Sequence, residues 1–183
     1  MNPIIVCFSG RIAIGKTSVS RALAERLDCP WTGFGDYVRA IATKRGLDSE
    51  SRDVLQDTGA SLIAEQGFRL FCSNVVAAAN WSGDCPLIID GIRHIEALQT
   101  IKELLAPSQV VLVHLAVESE EALYDRTMLR GIEFAERVTW ETHSTERQVL
   151  STLPEKADLI VSADLPLPDV VERVVGFVID VQS

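Results

Sequence analysis

Gly10 and Gly15 stand five residues apart in GRIAIGKT, and Lys16 and Thr17 follow at once. These residue types at this spacing handle phosphate. Glycines let the backbone curl so that successive N–H groups point inward at an anion, and a helix starting behind the loop adds its dipole. Lys16 is expected to reach the β- and γ-phosphates of a nucleotide, and the Thr17 hydroxyl to hold Mg²⁺. The stretch matches GxxxxGK(S/T), the P-loop, and sits between an apolar run and an amphipathic one, as that motif requires. Gly10, Arg11, Ala13, Gly15, Lys16, Thr17 and Ser18 are therefore the candidate nucleotide contacts. A tight turn ahead of an ordinary helix is the bland alternative.

A carboxylate-bearing position follows in PLIIDG, where an apolar strand ends in Asp90. From such an end a carboxylate can support a magnesium ion near a P-loop. A strand-ending turn at Asp90-Gly91 is the alternative. Asp36 opens three roles: base for an acceptor hydroxyl, ligand for substrate, or N-cap of the helix after it. Gln56 offers a donor and an acceptor together, which reading a base edge needs, and an ordinary solvated helix explains it equally well. Arg126 and Arg130 are four apart on one predicted helix face, with Arg137 beyond them in a loop-like stretch, GIEFAERVTW.

The elements that must position these groups are legible as periodicity. Nearly continuous β-branched runs at 3–8, 86–90, 109–117 and 158–163, with a weaker one at 31–35, predict parallel strands covered on both faces. Helical patterns fill 16–28, 36–46, 50–66, 68–80, 94–105, 119–131, 144–152 and 167–180. Strand and helix in alternation predict an α/β domain with a parallel sheet and right-handed crossovers.

Length and charge bound the partners. The chain of 183 residues is expected to form one domain over 1–183 with an ample core. Its formal net charge of −9 repels polyanions, so nucleic acid is a poor partner and phosphate must be held by local donors. Cys7, Cys29, Cys72 and Cys85 show no metal-ligand spacing and read as bystander thiols of a reducing compartment. The apolar run PIIVCF is too short for a leader or a membrane span, which predicts a cytoplasmic protein without membrane partners.

The order of P-loop, FGDYVRA (34–40), LIIDGIR (87–93) and DRTMLRG (125–131) resembles the P-loop nucleoside monophosphate kinase superfamily, with adenylate kinase and dephospho-CoA kinase among its members. SRDVLQDTG (51–59), with its spacing from Arg52 to Gln56, resembles phage-type deoxynucleoside monophosphate kinases, and THSTE (142–146) does so more weakly. The resemblance implies a three-layer P-loop NTPase fold with a five-stranded parallel sheet in the order 2-3-1-4-5. It also implies a helical acceptor-binding region at about 36–80 and a short lid at about 126–143. By the same resemblance Arg39 and Arg93 bind an acceptor phosphate, beside Asp36 and Gln56. Arg126 and Arg130 would then join Lys16 and Asp90 in catalysis, and Thr17 and Asp90 would hold the metal. The activity so implied is transfer of the ATP γ-phosphoryl, with Mg²⁺, to a nucleoside or deoxynucleoside monophosphate. Phosphorylation of a metabolite hydroxyl and a nucleotide-dependent switch without phosphotransfer are the alternatives.

Overall fold

The computed structural model describes residues 2–128, 134–143 and 146–183, apart from the side chains of residues 122, 125, 126, 134, 135 and 137. Five strands form one all-parallel sheet: β1 (Ile4–Gly10), β2 (Trp31–Gly33), β3 (Leu87–Asp90), β4 (Gln109–Ala116) and β5 (Leu159–Ser162). Their order across the sheet is β2-β3-β1-β4-β5, as the resemblance implied. The register sets Phe8 beside Asp90, and Asp90 beside Gly33, so the strands deliver the P-loop and two further segments to one edge.

Side chains of β1 alternate between two cores. Ile4, Val6 and Phe8 pack with Val19 and Leu23 of α1 (Lys16–Leu27) and with Val170, Val174 and Val178 of α9 (Leu167–Gln182). Ile5 and Cys7 face the other side. There they meet α2 (Phe34–Lys44), α3 (Arg52–Ala77), α4 (Ile95–Leu104), α7 (Arg147–Leu150) and α8 (Thr152–Glu155). Each fully buried Ile or Leu contributes roughly 1.5–3 kcal/mol relative to exposure, which explains why strands covered on both faces read as unbroken apolar runs.

The two helices expected on either side of Gly67 are present: the helical stretch α3 is broken where Gly67 adopts φ 73° and ψ 167°, outside helical backbone. Only glycine takes that backbone without strain. The helix expected from residue 36 starts at Phe34, so Gly33 is its N-cap and Asp36 lies in the first turn. This removes the capping role from Asp36. The loop-like stretch expected at 131–140 contains α6 (Phe134–Thr142), whose sequence FAERVTWET holds neither Gly nor Pro to break it. The helix before it, α5, spans Glu120–Met128. Among the described residues no helix is long and apolar enough to cross a membrane.

Candidate active site

The P-loop folds as a cradle because three of its residues accept left-handed backbone. Gly10 has φ 144°, Ala13 φ 63° and Gly15 φ 103°. A Cβ on Gly10 would lie 2.7 Å from the Leu115 carbonyl oxygen, so the close approach of β1 to β4 requires glycine there. Gly15 is the N-cap of α1, and the helix points its unsatisfied N–H groups back into the loop. Lys16 is buried, and its ammonium donates to the carbonyl oxygens of Gly10 at 2.6 Å and Arg11 at 2.7 Å. Its charge is thus held across the mouth of the cradle by the loop's own backbone.

Thr17 Oγ1 donates to Asp90 Oδ2 at 2.6 Å, and the other carboxylate oxygen of Asp90 is buried without a hydrogen-bond partner. Burial pushes Asp90 above the usual carboxylate range, against the pull of Lys16, the Thr17 hydroxyl and Arg93. A cation would reverse that balance. The hydroxyl, the orphaned carboxylate oxygen and the adjoining cradle fit Mg²⁺ with a bound nucleotide.

These groups open onto a cavity of about 330 Å³ that runs from the P-loop to α3. Its charged lining consists of Lys16, Arg39, Arg52 and Arg93 against Asp36 and Asp90. Asp36 is held from two sides, by Arg21 at 2.9 Å and by Arg39 at 3.2 Å, and Arg21 in turn lies 3.9 Å over the Trp31 ring. Phe34 and Phe71 meet edge to face at 5.3 Å and close the apolar side. Phe34 therefore belongs to the core as well as to the cavity wall.

The structure brings together Ala13, Gly15, Lys16, Thr17, Ser18, Asp36, Arg39, Gln56, Asp90 and Arg93, all of which line this cavity. Gly10 lies behind it. The Arg11 guanidinium turns away and forms a bidentate pair with Glu141 of α6, at 3.0 Å for each contact, and a second pair with Glu120 of α5. Arg11 thus fastens the P-loop to α5 and α6 and offers the cradle its backbone. The Gln56 amide donates to the Trp140 carbonyl at 2.9 Å. Arg130 lies outside the described residues, as do the side chains of Arg126 and Arg137.

Sequence reasoning gave no site role to Arg52, Glu146 or Arg21. Glu146 is 1% exposed and contacts both Arg52, at 2.9 Å, and Arg93. The four-residue spacing of Arg52 and Gln56 hinted at one helix face. Nothing in the polar stretch around Glu146 signalled its burial.

The family model described as chloramphenicol phosphotransferase-like protein matches residues 3–151. No curated protein matches the sequence. Solved structures with the same fold include shikimate kinase from Aquifex aeolicus, 17% identical with TM-score 0.56, covering 96% of each chain. A gluconokinase from Sinorhizobium meliloti is 18% identical with TM-score 0.57, covering 98% of this chain and 93% of its own. Shikimate kinase from Acinetobacter baumannii in complex with shikimate is 17% identical with TM-score 0.58, covering 98% and 94%.

Proposed function

The chain belongs to the chloramphenicol phosphotransferase-like protein family and is a P-loop small-molecule kinase, and from that premise we propose that it moves the γ-phosphoryl of ATP onto a hydroxyl of a small acceptor. The observation that carries this reading is Asp36, a carboxylate that lines the same cavity as Lys16, Thr17 and Asp90 and is oriented by two guanidinium groups. A base at that position serves a hydroxyl acceptor, whereas an acceptor that is already a phosphate needs little base. Chloramphenicol, named in the family description, offers hydroxyl groups and no phosphate.

In the proposed reaction the acceptor oxygen attacks the γ-phosphorus in line, its proton passes to Asp36, and the bond from phosphorus to the β–γ bridging oxygen breaks to release ADP. Lys16 would leave its two carbonyl partners for the β- and γ-phosphates, which develop charge in that step. Thr17 and Asp90 would hold Mg²⁺, which neutralises the phosphate oxygens when bound. Arg126 and Arg130 are proposed to close over the phosphates as a lid within about 126–143, in a single kinase domain whose acceptor-binding region spans about 36–80.

A nucleoside monophosphate acceptor is the second reading, favoured by Arg39 and Arg93 lining one cavity. Gln56 supports it less, because its amide already donates to the Trp140 carbonyl. One experiment separates the two. The enzyme is mixed with ATP and Mg²⁺, offered hydroxylated acids, amino-alcohol antibiotics, nucleoside and deoxynucleoside monophosphates and dephospho-CoA, and the products are identified by mass. A phosphate ester whose formation collapses in Asp36→Asn supports the hydroxyl reading. A nucleoside diphosphate that collapses in Arg39→Ala puts the second reading first.

A further inference from the structure

Glu146 sits where a chain that carries nine surplus negative charges would least be expected to hide a carboxylate. Its Oε1 oxygen faces Arg52 Nη2 at 2.9 Å, Arg93 Nη1, and Gln56 Nε2 at 3.5 Å. The two arginines come from the start of α3 and from the loop after β3, and both line the cavity behind Asp36. One carboxylate thus orients two guanidinium groups and neutralises one of them.

The remaining positive charge is uncomfortable in the free protein. Burial pushes Arg93 below the usual guanidinium range and the neighbouring Arg52 adds to that shift. Burial acts likewise on Arg52, with Arg39 adding to it. Arg52 Nε is buried with no hydrogen-bond partner, although its Nη2 is held by Glu146. A buried unpaired guanidinium N–H costs free energy that an incoming anion recovers through a charge-assisted bond.

We infer that Glu146 is the positioning residue of an acceptor subsite on Arg52 and Arg93, and that this subsite takes the single anionic group, carboxylate or phosphate, of a small acceptor. The inference deepens the kinase reading and rests on it for the word acceptor. Because Glu146 cancels one of two charges, it fixes the subsite for one anion and holds both guanidinium planes in place. Its loss should make the pocket stickier and less selective, where loss of a merely structural acid would leave anion affinity alone.

The test reads binding without turnover, so it stands apart from the identity of the phosphoryl acceptor. The ¹⁵N-labelled protein is saturated with Mg²⁺ and a non-hydrolysable ATP analogue, which fills the P-loop, and is titrated separately with methyl phosphate and with acetate while arginine Nε–H cross-peaks are followed. Saturable movement of the Arg52 or Arg93 peaks by either probe supports the subsite, and the tighter probe names the group. Arg52→Gln should weaken that probe at least tenfold, and Glu146→Gln should tighten it severalfold. Peaks that neither probe moves, or an affinity unchanged in Arg52→Gln, overturn the subsite. An affinity unchanged in a folded Glu146→Gln overturns the positioning role, and if that variant fails to fold, Glu146→Asp replaces it, a shift in affinity of threefold or more being the result expected. Failure of the ATP analogue itself to bind would instead sink the kinase reading.

Discussion

Thr17 Oγ1 and Asp90 Oδ2 lie 2.6 Å apart, although 73 residues separate them in the chain. The contact ties the P-loop to the end of β3 and leaves Asp90 with one buried, unpartnered oxygen. Asp90→Asn should raise the Mg²⁺ concentration needed for half-maximal phosphoryl transfer at least tenfold. Folding should survive, since the amide can still accept from Thr17. A magnesium titration of initial rates checks this, and an unchanged midpoint would remove Asp90 from the metal site.

Lys16→Ala should abolish phosphoryl transfer, with kcat down by about a thousandfold or more, while the fold stays intact. The ammonium donates to the carbonyl oxygens of Gly10 and Arg11 in its own loop, and the side chain lines the cavity. Circular dichroism and thermal unfolding should overlay those of the parent protein. Near-parental turnover would contradict the assignment.

Asp36→Asn should lower kcat by about 10²–10⁴-fold if the acceptor is a hydroxyl, the range usual for loss of a general base. The KM for ATP should move little, because Asp36 stands on α2 and not in the cradle. A kcat within threefold of the parent would leave Asp36 as a mere anchor for Arg21 and Arg39.

The two acids on Arg11 should contribute unequally. Both accept from Arg11 through two oxygens, but Glu141 is 11% exposed and Glu120 67% exposed. Double-mutant cycles by urea unfolding should give a coupling of about 1–2 kcal/mol for Arg11 with Glu141 and about 0–0.5 kcal/mol for Arg11 with Glu120. Equal couplings would mean that exposure does not govern this cluster.

His114 gives the fold an acid-sensitive term. Burial, and then Lys16, push its pKa down to about 4. The unfolded chain, at about 6.5, therefore binds more protons than the folded one as pH falls from 6.5 towards 4. Stability is fully present above pH 6.5 and should decline by about 1–2 kcal/mol on acidification to pH 5. His114→Gln should flatten that decline in denaturant unfolding. An identical slope in the variant would place the acid sensitivity elsewhere.

The P-loop, the acidic end of β3 and the five strands were all legible in the chain, because each is a local pattern. A glycine spacing, an apolar run closed by Asp90 and the break at Gly67 dictate backbone geometry over a few residues. Tertiary structure alone decided the rest. Arg11 reads as a phosphate contact until α6 brings Glu141 to it from 130 residues away. Asp36 reads as a base, a substrate ligand or a cap until the helix is seen to begin at Phe34 with Gly33 as its cap. Glu146 stands in THSTE with no local sign of burial until packing sets it against Arg52, 94 residues distant. Desolvation and the pairing of charges are properties of where side chains meet after the sheet has formed, and no short-range periodicity encodes them.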